Sequence, residues 1–178
     1  MSINSLNLDS MRGWLKPRTY DANKGNFGCV VVLGGDYGMP GAVRIAGEGA
    51  LRIGAGLVRV ITRPEHVVAV VSTRPELLCS GINKPSTMSV KRHLSSATVI
   101  VLGPGLGQSS WSEAIFDITL AHAHRHDIPL LIDADGLNWL VKKQDTWQAR
   151  PSCVFTPHPG EAARMLDISV DEVQANRA

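Results

Sequence analysis

A histidine lies between two prolines in the segment Thr156–Glu161 (TPHPGE), directly after an apolar run. Each proline fixes its own backbone φ angle and pushes the residue before it toward an extended conformation. The imidazole of His158 is therefore held on a stiff segment, from which it could hydrogen-bond or stack on a ligand at small entropic cost. The carboxylate of Glu161 is predicted to lie in the first turn of a helix, where its negative charge stabilises the positively polarised helix N-terminus.

Two carboxylates, Asp133 and Asp135, follow another apolar run in the segment LIDADGLN. Paired acids at a strand end could hold Mg²⁺ through water or hydrogen-bond a substrate hydroxyl. Asp135 could equally be the N-cap of the helix that follows. Asn138 would lie one turn into that helix, near the same acids. The residues alone leave these alternatives open.

A third candidate is the glycine-rich segment Gly103–Ser110 (GPGLGQSS). It is not a P-loop, because no Gly-Lys-Ser/Thr follows, and Gly107 comes one residue too early for the dinucleotide-binding glycine pattern. Glycine lets a ligand approach the backbone closely, and a helix N-terminus offers free N–H groups to an anion. Ser110 and Glu113 are predicted to form a capping box for that helix. A tight structural turn and a ligand contact at Gly105 or Gly107 both fit the pattern.

These segments are placed by strands that alternate with helices. Short apolar runs at 28–35, 57–62, 97–107 and ahead of both Asp133 and His158 are typical of buried parallel strands. The stretches between them have helical spacing, so we predict an α/β fold with a mostly parallel sheet and helices on both faces. In such sheets ligands bind outside the carboxyl ends of the strands. We call this side of the sheet the carboxyl edge. The three candidate segments and the loop GGDYGMPGA after the first strand are all predicted to lie there.

Composition excludes several other classes. The chain has 178 residues, 44% hydrophobic, which suits one globular domain. A net charge of +2, 5% aromatic residues and the lack of a basic stripe disfavour nucleic acid binding. No apolar run reaches the roughly 18–20 residues of a membrane span, and the N-terminus has no apolar signal region. Cys29, Cys79 and Cys153 are widely spaced, as expected of reduced thiols in a cytoplasmic protein.

Two further features carry alternative interpretations. His122 and His126 in the segment HAHRH share a helix face and could bind a metal, but a solvated helix face fits better, and we predict no metal centre. Lys24, ahead of the first strand, could reach a site or remain in water.

Six segments, in order along the chain, resemble the NAD(P)H-hydrate dehydratase family: KGNFGCVVVLGG, GMPGAVRIAGEGALRIGAGLVRV, RPELL, GPGLG, LIDADGLN and TPHPGE. The resemblance runs from about Lys24 to Leu166. It implies a ribokinase-like fold, with an N-terminal arm at 1–23 and the dehydratase domain at 24–178. It also implies repair of nicotinamide cofactors in which water has added to the dihydronicotinamide ring. The implied substrates are hydrated NADH and NADPH (NADHX and NADPHX), with ADP as co-substrate and Mg²⁺ bound together with the ADP. The resemblance also implies that the full-length protein is a homo-oligomer.

The family resemblance also assigns residues. Carried over by motif, its substrate-binding positions fall on Ala42, Gly107 and His158. The remaining residues expected to line the site are Gly105, Asp133, Asp135 and Asn138.

The family pattern continues with a Lys-Gly-x-x-Thr-like segment for the adenine nucleotide and a Gly-Asp motif that holds the catalytic aspartate. Neither occurs in these 178 residues. The resemblance therefore implies a partial domain, with a sheet incomplete at its C-terminus and an expected catalytic aspartate beyond Ala178. Two alternatives remain open: a ribokinase-like kinase for a vitamin precursor, and a non-catalytic remnant that binds a dinucleotide.

Overall fold

The computed structural model describes residues 7–14, 17–143 and 152–177. Its sheet contains six strands: Cys29–Leu33 (β1), Leu57–Thr62 (β2), Leu78–Gly81 (β3), Val99–Leu102 (β4), Leu130–Ile132 (β5) and Cys153–Phe155 (β6). Their order is β3-β2-β1-β4-β5-β6, and every neighbouring pair is parallel. The predicted parallel α/β sheet is confirmed.

Helices flank this sheet and connect its strands. They are Leu8–Met11 (α1), Pro40–Arg52 (α2), Val67–Val71 (α3), Thr87–Leu94 (α4), Ser110–His126 (α5), Asp135–Lys142 (α6), Pro159–Leu166 (α7) and Val170–Ala175 (α8). Single turns of 3₁₀ helix lie at Arg12–Trp14, Lys24–Phe27 and Pro64–His66. No helix among the described residues is long and apolar enough to cross a membrane.

The β-branched run of β1 supplies both hydrophobic cores, because successive strand residues point to opposite faces. Val31 and Leu33 join a larger cluster with residues of α4, α5 and α6. Val32 joins a smaller cluster with residues of α2 and α3. Burial of each such side chain contributes about 1.5–3 kcal/mol. Packing on both faces fixes β1 as a central strand and directs its carboxyl end toward the predicted site.

Local capping signals place the helix starts with one error. Ser169 and Glu172 form the predicted capping box of α8. At α5 the capping box is wrong by one residue, since the N-cap is Ser109 and its partner is Ser112. The shift matters because the Ser109 and Ser112 hydroxyls also bond a side chain from another loop, which the local sequence does not show.

The element pair β3 and α4 was not predicted from the sequence. β3 is a four-residue strand at one edge of the sheet, and among the described strands it pairs only with β2. Its sequence, Leu-Cys-Ser-Gly, lacks the β-branched residues that mark β1 and β2. α4 follows with its own capping box of Ser86 and Ser89.

Candidate functional site

Four loops meet at the carboxyl edge as predicted. They follow β1, β4, β5 and β6, which are neighbours in the sheet. Each loop leads into a helix, so the N-termini of α2, α5, α6 and α7 also lie at this edge. Helix N-termini carry partial positive charge and unpaired N–H groups, which favours anionic ligands such as phosphates.

The loop after β1 and the loop after β4 are joined by backbone hydrogen bonds. The Gly35 amide donates to the Pro104 carbonyl at 3.0 Å, and the Asp36 amide donates to the Gly105 carbonyl at 2.7 Å. Gly105 has a φ of +59°, and a Cβ there would lie 2.9 Å from the Cβ of Ala42. The structure therefore brings Ala42 and Gly105 into contact, and it requires glycine at 105.

Gly107 lies between two carboxylates. Its amide donates to Asp135 Oδ2 at 2.9 Å, and its carbonyl accepts from Trp139 Nε1 at 3.0 Å. On the other side, a Cβ at Gly107 would lie 3.2 Å from Asp36 Oδ2, and the residue has a φ of +70°. Of the two roles considered for Asp135, the N-cap is wrong, because Ala134 occupies that position. The Asp135 carboxylate instead holds the glycine loop.

The loop after β5 contains a strained residue. Ala134 has φ +49° and ψ −124°, a conformation that side-chain-bearing residues rarely adopt and that costs about 1–3 kcal/mol. It follows Asp133, whose carbonyl oxygen would collide with a Cβ at Gly103. The Asp133 carboxylate accepts a hydrogen bond from Thr156 Oγ1 at 2.8 Å and so joins this loop to the next.

His158 is the N-cap of α7. Its Nδ1 accepts from the amides of Gly160 (3.0 Å) and Glu161 (3.4 Å). An accepting Nδ1 carries no proton, so the neutral ring bears its proton on Nε2, 3.3 Å from Glu161 Oε1. The other Glu161 oxygen accepts from the His158 amide at 2.9 Å. The helix-terminal role predicted for Glu161 is confirmed, and the His158 ring is 63% exposed at the rim.

Asn138 connects α6 with α7. Its Nδ2 donates to Asp135 Oδ1 at 3.1 Å, and its Oδ1 accepts from Arg164 Nε at 3.0 Å. A continuous chain of hydrogen bonds thus runs from Gly107 through Asp135 and Asn138 to the helix that His158 caps. The predicted lining residues are brought together, although nothing in the structure assigns them a ligand.

A buried network that the sequence does not reveal lies under the glycine loop. Asp36 is 5% exposed, and its carboxylate accepts hydrogen bonds from the amide of Tyr37, Nε of Arg63, and the hydroxyls of Ser109 and Ser112. Burial alone would raise the pKa of Asp36, but the hydrogen bonds from Ser109, Arg63, the Tyr37 amide and Ser112 outweigh it and lower the pKa. An acid directly after two glycines at a strand end was the signal available.

Arg63 is almost fully buried in the same network. Its guanidinium carbon lies 4.3 Å from the ring centroid of Tyr37 and 4.6 Å from that of Trp111. Its Nε is 2.7 Å from Asp36 Oδ1. The aromatic rings and the carboxylate together compensate the buried positive charge.

Among the described residues, no group of three or more His, Cys, Asp or Glu is arranged to hold a metal ion. Asp133 and Asp135 are instead engaged by Thr156, Gly107 and Asn138. The solvated-face interpretation of HAHRH is wrong for His122, which is buried on α5. Burial, then the charge of His126, lowers the pKa of His122.

The opposite edge of the sheet carries none of the predicted site residues. An open groove of about 890 Å³ lies there, between the arm residues 17–27, the end of α2 and the start of β4. Lys24 belongs to the 3₁₀ turn ahead of β1, at the amino ends of the strands. It therefore lies away from the carboxyl edge.

Comparison with known proteins identifies relatives over most of the chain. The family model for NAD(P)H-hydrate dehydratase matches residues 30–178. The bifunctional NAD(P)H-hydrate repair enzymes Nnr of Coxiella burnetii and Escherichia coli are 48% and 42% identical, over 92% and 98% of this chain. An ADP-dependent (S)-NAD(P)H-hydrate dehydratase of Streptococcus thermophilus is 30% identical over 92% of the chain. The chain spans 32% of each Nnr enzyme and 58% of the Streptococcus protein.

Solved structures agree with these relatives. A ribokinase-like superfamily protein of Enterococcus faecalis superimposes with a TM-score of 0.79 at 30% identity, covering 87% of this chain and 54% of its own. The ADP/ATP-dependent NAD(P)H-hydrate dehydratase of Bacillus subtilis, co-crystallised with ATP and Mg²⁺, gives a TM-score of 0.74 at 28% identity, covering 96% and 58%. The fold is thus ribokinase-like, and the chain belongs to the NAD(P)H-hydrate dehydratase family.

Proposed function

We propose that this chain supplies the substrate-binding edge of an ADP-dependent (S)-NAD(P)H-hydrate dehydratase, a repair enzyme for hydrated nicotinamide cofactors. The observation that carries the proposal is the meeting of four loops at the carboxyl edge, where Gly107 is clamped between Asp36 and Asp135. Family membership supplies the substrate class.

The geometry suits a dinucleotide. Glycines at 103, 105 and 107 all adopt positive φ angles, which let the loop turn tightly at this edge, and Gly107 is the least buried of the three. The N-termini of α5, α6 and α7 supply positive potential to a pyrophosphate. The exposed ring of His158 offers an Nε2 proton or a flat face to the ligand rim. We assign Ala42, Gly107 and His158 to substrate contact, and Gly105, Asp133, Asp135 and Asn138 to the lining.

The proposed reaction has two steps. The hydroxyl of the hydrated ring attacks the β-phosphorus of ADP, its proton passes to a base, and AMP leaves. The carbon–oxygen bond of the phosphorylated intermediate then breaks, phosphate leaves, and loss of a proton from the neighbouring carbon restores the double bond. Phosphoryl transfer depends mainly on positioning and charge stabilisation. The residues of this chain contribute positioning, and we assign the base to none of them.

Mg²⁺ would neutralise charge on the ADP phosphates. The described residues form no metal centre of their own. We therefore propose that the ion would be held chiefly by the nucleotide.

The test is binding and turnover with this purified chain. Equilibrium dialysis with (S)-NADPH-hydrate should show saturable binding that Gly107→Ala and His158→Ala weaken. Turnover, followed as the return of reduced-nicotinamide absorbance, should be absent with or without ADP. ADP-dependent turnover would mean that the chain contains a base we have not assigned. Absence of binding would contradict the proposal.

A further inference from the structure

We propose that Asp36 is a positioning residue that holds the Gly103–Gly107 loop in its ligand-binding shape. The inference rests on the proposed function of that loop. It concerns a buried side chain that neither the motifs of the sequence nor the family resemblance assigned to the site.

The Asp36 carboxylate is saturated by donors from three segments of the chain. Oδ1 accepts from the Tyr37 amide at 2.9 Å and from Arg63 Nε at 2.7 Å. Oδ2 accepts from Ser109 Oγ at 2.6 Å and lies 3.1 Å from Ser112 Oγ. One carboxylate thus joins the ends of β1 and β2 to the start of α5.

The backbone of the same residue grips the glycine loop. The Asp36 amide donates to the Gly105 carbonyl, and the preceding amide donates to Pro104. The side chain lies against Gly107, since a Cβ at that position would be 3.2 Å from both Cβ and Oδ2 of Asp36. A shift of Asp36 would therefore be passed directly to residues 104–107.

The serines extend this hold to the other end of the loop. Ser112 Oγ lies 2.5 Å from the Leu106 carbonyl as well as 3.1 Å from Asp36. A hydroxyl has one proton, so Ser112 donates to one of these oxygens at a time. Ser109, the N-cap of α5, donates to Asp36. The α5 N-terminus and Leu106 are thus both set relative to the same carboxylate.

A stabilising role alone does not account for this arrangement. Burying a charged pair costs desolvation energy that the pair's attraction often only offsets, so a buried ion pair is a poor stabilising device. Here the pair lies under the glycine loop, which carries Gly107, one of the three predicted substrate positions. Its rigid hydrogen bonds match the requirement that a binding loop be held before the ligand arrives.

The experiment compares Asp36→Asn with wild type and with Glu48→Gln. Asn keeps the shape of the side chain but removes its charge and replaces one acceptor with a donor. Glu48 is a matched control because its carboxylate is 18% exposed, bonded by Arg44, Arg52 and Arg74 on and near α2, and outside the site. Ser112→Ala is a milder second variant that keeps the Asp36–Arg63 pair.

Two readouts separate positioning from general stability. Amide hydrogen exchange should become about tenfold faster at Asp36 and Gly107 in Asp36→Asn, while amides of β1 and β4 keep their protection. Affinity for (S)-NADPH-hydrate, measured well below the melting temperature, should fall roughly tenfold to a hundredfold. Glu48→Gln should change neither, and Ser112→Ala should change both in the same direction by less.

Each outcome decides the matter. Uniform loss of protection across strands and loop, or unchanged affinity with a wild type that binds, overturns the positioning role alone. A wild type that does not bind (S)-NADPH-hydrate overturns the proposed function, and the positioning role with it. If Asp36→Asn does not fold, unchanged loop exchange and affinity in Ser112→Ala overturn the inference.

Discussion

The carboxyl edge has two halves that are built differently. In the half formed by β1, β2 and β4, Asp36 and Arg63 are buried and bonded to their surroundings. In the half formed by β5 and β6, Glu161 is buried. The other polar groups of that half are bonded in a chain and are only partly buried or exposed, and the His158 side chain is 63% exposed. The first half is suited to hold a loop rigidly, and the second is suited to meet a ligand.

The difference explains which residues sequence analysis detected. Prolines and glycines around His158 and Asp133 mark an open, stiff segment. The buried half is made of an aspartate, an arginine and two serines, residue types that are ordinary anywhere in a chain. A contact between positions 36 and 63 has no local signature. If one half holds the glycine loop and the other meets the ligand, substitutions in the two halves should have different effects on stability and binding.

The largest loss of stability is expected at Gly103, where the two halves of the carboxyl edge meet. In Gly103→Ala the new Cβ would collide with the Asp133 carbonyl and the Gly136 amide, and the φ of +127° is unfavourable for alanine. We expect a loss of at least about 4 kcal/mol in the free energy of unfolding, measured by urea titration. Gly38→Ala is the control, because its φ is +80° but nothing lies within 4 Å of its Cβ. It should lose only about 1 kcal/mol, and equal losses would exclude close approach as the cause.

Removing the Asp36 carboxylate from the buried half should lower the free energy of unfolding by somewhat less. Asp36→Ala leaves Arg63 buried without its carboxylate, for which we expect a loss of about 3–5 kcal/mol by urea titration. Glu48→Ala removes a carboxylate that several arginines share nearer to solvent, and it should lower stability clearly less. Similar losses for the two variants would show that the buried half is not special.

In the open half, substitutions of His158 should distinguish its role as the helix cap of α7 from its role in ligand binding. His158→Ala removes the N-cap of α7 and should lower stability by about 1 kcal/mol and weaken binding of (S)-NADPH-hydrate. His158→Asn keeps a capping side chain, so it should restore stability measured by thermal unfolding. Affinity measured by dialysis should stay low in His158→Asn. Restored affinity would mean that His158 acts only as a cap.

The smallest expected effect is on the free energy of unfolding at acidic pH. The pKa of Asp36 is lowered on folding, because its hydrogen bonds outweigh the opposing effect of burial. Below an unfolded-state pKa of about 3.9 the unfolded chain binds the proton more readily, so stability falls as pH falls through the folded-state value. Wild type should therefore lose more stability than Asp36→Asn between about pH 5 and pH 2. Parallel pH curves from urea titration would contradict this.

The sequence by itself determined the short-range features. β-branched runs such as Val30–Leu33 specify strands, and parallel strands place their following loops on one edge. Ser169 with Glu172 caps α8, and Glu161 lies in the first turn of α7, both as the sequence predicts. Family motifs such as GPGLG and TPHPGE also lie within single loops. All of these depend on residues close together in sequence, so the sequence alone sufficed.

Only the tertiary structure decided the long-range features. Asp135 could have capped α6, but a glycine loop 28 residues earlier takes its carboxylate. The Asp36 contact with Ser109 spans 73 residues, and it exists because β1 and β4 are sheet neighbours. Edge strand β3 forms because β2 offers it hydrogen bonds, not because of its own residues. Which polar groups meet depends on strand order, and strand order is settled by packing the whole sheet.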